Sequence, residues 1–395
     1  MASLMTRLFG AKTRASVVGA GLDQKASRAG ALLALHSIGQ ARWTPRNVVD
    51  LTREGYERNA IVYRCVRMIA EAAASVPWTM FEGRTEITAH PALDLLGRPN
   101  PTDIGATLLE ALFTNLMLFG NAFLESVVVD GAPRELYNLR PDRMSIIPGP
   151  NGWPAAFEYA VGGDRVRYPV DGAGISPILH LKLFHPLDDH YGFAPLKAAQ
   201  VALDIHNAAG FWNKALLDNA ARPSGALVYA GPAGSSLSDE QFDRLKSELD
   251  ENFSGSRNAG RPLLLEGGLD WKALSLTPKD MDFVEAKAIA AREIALAFGV
   301  PPLVLGVPGD NTYSNYQEAH RAFWRQTVIP LVSRTQKTFS AWLRPAFGDF
   351  RFDYDIDRIE ALAGERAAEW TRVGAADFLT VDEKREALGY GKMPR

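Results

Sequence analysis

The side chains best suited to chemistry are histidines and carboxylates in two short stretches of the sequence. In the first stretch, His180, His185 and His190 lie close to Asp188 and Asp189, a set that could supply metal ligands. The histidines recur every five residues, however, and an odd interval on a strand directs successive side chains to opposite faces. The pattern therefore predicts no metal site, and metal binding is the minor alternative.

The second stretch, Asp353, Asp355 and Asp357, is the better enzymatic candidate. Alternate positions of a strand share one face, and grouped carboxylates of this kind hold the metal ions of nucleases. The intervening positions are apolar: Phe350, Phe352, Tyr354 and Ile356. A half-buried strand with an acidic solvent face explains the same alternation. We therefore predict no catalytic residue and no cofactor, and keep a metal-dependent nucleic-acid enzyme as an alternative.

Motifs for nucleotide binding are absent from the sequence. Gly391-Lys392 is followed by Met393, so no phosphate-binding loop of the G-x-x-x-x-G-K-[ST] type occurs. No G-x-S-x-G sequence marks a nucleophile elbow either. The sequence predicts a protein that is not an enzyme and does not hydrolyse ATP.

The composition of the chain excludes several classes of protein. The 395 residues carry a net charge of −3, so the chain as a whole has no basic field for nucleic acid. The single cysteine, Cys65, lies in an apolar run and is expected to be buried, which excludes a disulfide framework. No apolar run reaches the length of a membrane span, and we expect a protein made in the cytoplasm without a membrane partner. Residues 1–46 carry seven Lys or Arg and only one acid, and are expected to form a flexible basic arm.

Helical periodicity dominates the second half of the chain. Apolar residues at helical spacing predict helices at about 195–219, 281–298 and 314–347. The second helix should end at Gly299, and Pro330 should kink the third because proline lacks a backbone N–H. Residues 220–280 form a smaller mixed insert between the first two helices, with strands predicted at 225–229, 262–265 and 270–274 and a helix capped by Ser238.

Residues 47–190 predict an α+β domain with an antiparallel sheet. Helices are expected at 59–75 and 105–120, with Asp130-Gly131 as a hairpin turn. The expected strands are 78–81, 121–129, 135–139, 144–148, 156–161, 166–169 and 178–184. A strand at 350–356 and short helices follow the long helix, and Thr380 with Glu383 forms a capping box for the last of these.

Several blocks of the sequence stand in collinear order over about residues 55–350. The most specific are Phe298 to Gly306 and Thr312 to Asn315, followed by a long helix that contains Ile329-Pro330. The others are Tyr191 to Leu196, Tyr137 to Leu139, Ala221 to Gly225, Asn258 to Arg261 and Leu265 to Gly268. Together these blocks resemble the HK97-type family of tailed-phage portal proteins, in which the segment matched by Tyr191 to Leu196 precedes the first stem helix.

The resemblance implies the multi-domain α+β architecture of a portal. Its expected parts are an N-terminal arm (1–46), a wing domain (47–190), stem helices (191–219 and 281–299), a clip (220–280), a tunnel loop (300–313), a long wing helix and strand (314–357) and a reduced helical crown (358–395).

The resemblance also implies a function and partners. A portal forms a ring of identical subunits, twelve in this family, at one vertex of a capsid, and double-stranded DNA passes through its channel during packaging and ejection. The implied partners are the terminase large subunit, which carries the ATPase, the head–tail adaptor and the major capsid protein. The implied location is the virion, with synthesis in the bacterial host cytoplasm. Phage, prophage and gene transfer agent remain open as the source of the particle, and a monomeric minor capsid or adaptor protein is a further alternative.

Three sets of site residues complete the expectations. The tunnel loop facing DNA is Val307, Pro308, Asp310, Asn311, Thr312 and Tyr313. The stem subunit interface is Val201, Ile205, Trp212, Leu216, Val284 and Ala288. The clip contact to terminase or adaptor is Asp239, Asp243 and Glu248. The loop 300–313 has no Lys or Arg, which suits a channel that must let a polyanion slide.

Overall fold

A computed structural model gives the fold of the chain. It describes residues 43–45, 47–170, 175–218, 225–229, 269–273, 283–307 and 313–388, with a few positions between 238 and 247. All of the elements below belong to the compact unit Thr44–Arg395.

The helices follow the predicted order with two breaks. They are α1 (Val48–Thr52), α2 (Ala60–Ser75), α3 (Pro91–Gly97), α4 (Gly105–Phe119), α5 (Pro195–Ala198), α6 (Gln200–Asp218), α7 (Phe283–Phe298), α8 (Tyr313–Phe323), α9 (Ile329–Phe347), α10 (Ala363–Gly374) and α11 (Val381–Ala387). A π-helical turn follows α1 at Arg53–Glu57, and another joins α8 to α9 at Trp324–Val328.

The strands form small antiparallel sheets. They are β1 (Trp78–Glu82), β2 (Thr85–Ile87), β3 (Asn121–Val129), β4 (Ala132–Leu139), β5 (Met144–Pro148), β6 (Pro154–Val161), β7 (Asp164–Pro169), β8 (Ile178–Lys182), β9 (Gly225–Tyr229), β10 (Leu269–Ala273) and β11 (Arg351–Tyr354). Their orders are β11-β1-β2, β4-β3-β8, β5-β6-β7 and β10-β9. The first sheet therefore joins a strand from the end of the chain to a strand near its start.

The main core lies where α2 and α4 pack together and meet α7 and α9. Large side chains such as Ile69, Leu112, Phe113 and Phe339 are fully buried there. A smaller core around Phe123 and Phe157 lies between the β4-β3-β8 and β5-β6-β7 sheets. Because the main core takes residues from Leu51 through Phe352, helices α6 and α7 and the elements between residues 47 and 190 form one packed body.

The helix type changes next to Pro330, where the sequence predicted a kink. A π-helical turn at Trp324–Val328 precedes α9, and Pro330 occupies the first turn of α9 just after it. The backbone stays helical across this junction, with Ile329 N donating to Trp324 O, so the missing N–H of proline falls where the hydrogen-bond register changes. The helix at 195–219 is likewise divided, since Ala199 separates α5 from α6.

Local turn and cap predictions are confirmed. Asp130 and Gly131 have φ of 53° and 76°, the left-handed conformations that this hairpin turn requires. Thr380 and Glu383 form a complete capping box at the start of α11. Gln241 N donates to Ser238 Oγ at 3.3 Å, and Ser238 N donates to Gln241 Oε1 at 3.1 Å, which is the predicted cap in the insert. The predicted strand at 262–265 lies outside the described residues.

Cys65 is buried on α2, as the sequence predicted, and burial raises the pKa of its thiol to about 12. The thiolate is the reactive form, so this cysteine is chemically inert at neutral pH. Within the described ranges, none of the helices combines the length and apolar character needed to cross a membrane.

Candidate functional site

The histidine and aspartate stretch around 180–190 is structural. His180 lies on β8, where its ring stacks on Phe123 with ring centroids 4.3 Å apart, and its Nε2 is 3.0 Å from Asn121 Oδ1. Burial, followed by the charges of Lys182 and His190, lowers its pKa to about 3. His185 lies in the following loop and its ring packs edge-on against Phe193. No group of three or more His, Cys, Asp or Glu within the described part of the chain is arranged to hold a metal ion.

The predicted acidic strand is shorter than expected. Strand β11 ends at Tyr354, and Ile356–Arg358 forms a 3-10 turn, so the prediction that three carboxylates share one strand face was wrong. Asp353 lies on the strand, and Asp355 forms an ion pair at 3.5 Å with Arg358. The side chain of Asp357 lies outside the described residues. The physical reason is that β1, the strand that pairs with β11, begins at Trp78 opposite Tyr354, and no partner is available beyond it.

Helices α6 and α7, which the sequence predicted as stem helices, lie against each other and bury alanine, leucine and isoleucine side chains. The buried positions are Ala202, Leu203 and Ala209 on α6 and Ala290, Ala291, Ile294 and Ala295 on α7. The predicted apolar stripe of α6 is a different face, because Val201 and Ile205 are 50% and 41% exposed. Trp212 is half-buried, and the side chain of Leu216 lies outside the described residues.

Helix α7 carries further exposed apolar side chains, with Ile289 and Leu296 on one side of the helix and Val284 near its start. Val284 and Leu296 are 79% and 78% exposed, Ile289 is also exposed, and Ala288 is half-buried. On α6, Phe211 is 61% exposed. The sequence reasoning missed Phe211, Ile289 and Leu296, because it recognised an apolar stripe but could not tell which apolar residues the chain's own core would use. The available signal was that α6 and α7 each carry more large apolar residues than one buried face can hold.

A buried polar cluster fixes α6 to the start of α2. Asn59, which is 2% exposed, caps α2 through its Oδ1 and donates from Nδ2 to Asn207 Oδ1 at 2.8 Å. His206 Nδ1 lies 2.9 Å from the same Nδ2, which requires an unprotonated Nδ1 as the acceptor. Burial and the charge of Lys287 lower the pKa of His206, in agreement with this neutral form.

A close backbone crossing holds the loop before α5 against the end of α4. Leu183 N donates to Gly120 O at 2.8 Å, and Gly192 N donates to Asn121 Oδ1 at 2.8 Å. A Cβ atom on Gly192 would lie 2.0 Å from Gly120 O, so only glycine fits at this crossing. The loop that enters the stem is therefore fixed by backbone contacts and by Asn121.

The predicted tunnel loop is partly anchored. Gly299 ends α7 with φ of 70°, and Thr327 Oγ1 donates to the Gly299 carbonyl. Hydrogen-bonded turns span Pro301 to Val307, and Val300 and Val307 are buried. Of the predicted DNA-facing residues, Val307 thus packs within the subunit, Pro308 to Thr312 lie outside the described residues, and Tyr313 begins α8. The described half of the loop is therefore held by its own turns and by the burial of Val300 and Val307.

The predicted clip contact is described only at one position. Asp243 is exposed, whereas Asp239 and Glu248 lie outside the described residues. Strands β9 and β10 pair antiparallel, with Val228 opposite Asp270.

Comparisons with known proteins agree with this architecture. The family described as phage portal protein matches residues 60–389. The chain is similar to a chain in the neck of an empty GTA (gene transfer agent) particle computed with C6 symmetry, at 50% identity and a TM-score of 0.72, over 90% of this chain and 96% of that one. The neck of the native particle computed with C12 symmetry gives the same identity and coverage with a TM-score of 0.69. The portal protein of Enterobacteria phage HK97 is 26% identical over 84% of this chain and 79% of its own length. This chain therefore belongs to the phage portal protein family.

Proposed function

We propose that this chain is the portal subunit of a phage-like particle. Identical copies form a ring at one capsid vertex, and double-stranded DNA is packaged and ejected through the ring. The observation that carries the proposal is the family match over residues 60–389, together with 50% identity to a chain of a GTA neck computed with C12 symmetry. The role is that of a structural channel, and the proposal assigns no catalytic residue.

The stem helices support a ring. One subunit offers exposed apolar residues on two different helices: Val201, Ile205 and Phe211 on α6, and Ile289 and Leu296 on one side of α7, with Val284 near the start of α7. When two different faces of identical subunits bind each other, the contact is heterologous and repeats until the ring closes. We therefore propose that α6 of one subunit packs against α7 of the next, with Trp212, Leu216 and Ala288 at the margin of the contact.

The other two site predictions remain proposals for the ends of the channel. Residues 308–312 are proposed to face the DNA, and their lack of basic side chains suits a duplex that must slide. Residues 220–280, with Asp239, Asp243 and Glu248, are proposed to contact the terminase large subunit and then the head–tail adaptor. The wing would contact the major capsid protein, and assembly would take place in the host cytoplasm.

Two alternatives remain to be separated from this proposal. A metal-dependent nuclease is disfavoured because Asp353 and Asp355 lie on different local structures and each has a basic neighbour, Arg351 and Arg358 respectively. A monomeric minor capsid or adaptor protein differs from a portal in its mass.

The deciding experiment is light scattering with negative-stain microscopy on the purified full-length protein. A portal should show rings in projection and a molar mass near twelve times the 43.2 kDa of the chain. A monomer at every accessible concentration and salt would contradict the proposal.

A further inference from the structure

The long helical segment after the tunnel loop has an unusual charge distribution for a chain with a net charge of −3. Between Glu318 and Asp349 there is no acidic residue, whereas Lys and Arg occur five times. This segment is described throughout, so the position of each of these side chains relative to the core is known.

Three of these cations lie on one face of α9. Arg334, Lys337 and Arg344 are exposed and recur at helical spacing with Pro330 and Ala341, whereas Val332, Phe339 and Leu343 on the opposite face are buried. At 1.5 Å per residue, Arg334 and Arg344 are about 15 Å apart along the helix axis. We call Arg334, Lys337 and Arg344 the basic face.

A shallow groove lies beside these side chains. Its volume is about 560 Å³, and its lining residues are Pro330, Ser333, Arg334, Lys337, Thr338 and Ala341. The lining contains hydroxyl groups and cations and no large apolar or aromatic residue. Protein interfaces usually have aromatic anchors at their centre, so this lining fits a polyanion better than a protein.

The cations are held loosely enough to bind a further anion. Arg334 Nη2 donates to the carbonyl of Lys182 at 2.6 Å, which orients its guanidinium group and leaves its other N–H groups available. Arg344 pairs with Asp349 at 3.1 Å in an exposed ion pair, which contributes little to stability and is easily exchanged. No acidic residue of the described ranges forms an ion pair with Lys337.

We propose that the basic face of α9 binds the phosphate backbone of duplex DNA. The inference rests on the proposed portal function, which brings duplex DNA to this protein. Contacts of this kind do not depend on base sequence, because every step of the duplex offers the same phosphate groups. Phosphate contacts also slow the sliding of DNA, so the basic face suits DNA that is held at the portal. The loop at 300–313, which has no Lys or Arg, is proposed instead to face the moving duplex.

The test compares two doubly neutralised variants of the full-length protein. K337Q/R344Q removes two cations of the basic face and keeps Arg334, which has a structural contact. R165Q/R167Q makes the same change in charge at two exposed positions on β7, away from α9. Binding of a short labelled duplex, in two unrelated sequences, is measured by fluorescence anisotropy across a range of salt concentrations.

The expected result is a difference in salt dependence. Each subunit that touches the duplex loses two phosphate contacts in K337Q/R344Q. The slope of log K against log salt should therefore fall by about 1.8 per contacting subunit, which weakens binding on the order of 60-fold or more at 0.1 M salt. The slope of R165Q/R167Q should equal that of the wild type. Both duplex sequences should behave alike.

Equal slopes for the two variants would overturn the inference. It would also be overturned if K337Q/R344Q weakened the binding of poly-glutamate but not the binding of DNA. The second result would assign the face to an acidic protein segment. The slope comparison applies to any oligomer, so it fails or succeeds independently of ring formation. If rings form normally but the two variants have equal slopes, the proposed portal function stands and only this inference is removed.

Discussion

Residues of one type have different roles in this chain, and His180 is the clearest example. The sequence offers it as a possible metal ligand beside two more histidines. The structure makes it a half-buried ring that stacks on Phe123 and lies against Asn121. The strand argument for the histidines does not hold as made, because β8 ends at Lys182 and both His185 and His190 lie beyond it. The stacking partner could not be predicted, because it comes from β3, which is distant from β8 in the sequence.

His180 should make the stability of the β4-β3-β8 sheet pH-dependent. Its pKa is about 3 in the folded chain and about 6.5 in an unfolded one, so below pH 6.5 the unfolded state binds a proton that the folded state does not. The stabilisation from neutral His180 is therefore complete above pH 6.5. On acidification the free energy of unfolding falls, by about 2 kcal/mol at pH 5. H180F keeps an aromatic ring on Phe123, and Asn121 Oδ1 keeps its bond from Gly192 N.

The measurement is urea unfolding at pH 7 and pH 5 for the wild type and H180F. The wild type should lose about 2 kcal/mol more than H180F between these pH values. Equal losses in the two proteins would show that His180 is protonated without cost in the folded chain.

At the scale of elements, periodicity and turn chemistry predicted most helices and strands. The hairpin at Asp130-Gly131 and the caps at Ser238 and Thr380 were predictable because a few adjacent residues determine them. The π-helical turns and the end of β11 at Tyr354 were not, because packing against distant elements decides them. Short elements such as α3 and β2 were missed, since few residues carry their pattern.

The crossing of Gly120 and Gly192 gives a prediction for element packing. Gly192→Ala would place a Cβ atom 2.0 Å from the Gly120 carbonyl oxygen, and backbone on both sides must move to relieve the overlap. We expect a loss of stability of about 1–3 kcal/mol or more, as is typical of overpacked sites. A lower thermal unfolding midpoint, measured by circular dichroism, would show it.

The control is Gly364→Ala on α10, where the nearest atom to the new Cβ would be Arg321 Nη2 at 3.8 Å. Alanine is favoured over glycine in a helix by about 1 kcal/mol, so this variant should be as stable as the wild type or more so. If Gly192→Ala unfolded at the wild-type temperature, the crossing would be more adaptable than its geometry indicates.

For the whole molecule, the sequence was most informative through its family blocks. Those blocks and the helical patterns gave the α+β class and the portal identity, which the comparisons support. The subunit contact could not be resolved from the sequence, because the α6 residues that bury against the chain's own core and those that remain exposed are both apolar. Only the folded subunit shows that Ile205 and Leu296 point outward on different helices.

These two faces permit a test of the ring that does not depend on its size. I205D and L296D each place a carboxylate in the proposed apolar contact, where its desolvation costs several kcal/mol. Both positions are exposed in the subunit, so folding should be preserved, whereas Trp212 is half-buried and less suitable. V161D, at a position on β6 that is exposed to a similar extent as Ile205, serves as the control and should still form rings.

The mixture of the two variants is the most informative sample. I205D keeps an intact α7 face and L296D keeps an intact α6 face, so each variant alone should be monomeric and the mixture should give dimers with one copy of each. Light scattering of the separate and mixed proteins measures this. Dimers formed by one variant alone would indicate an isologous contact between like faces. A full ring formed by L296D alone would place α7 outside the subunit interface.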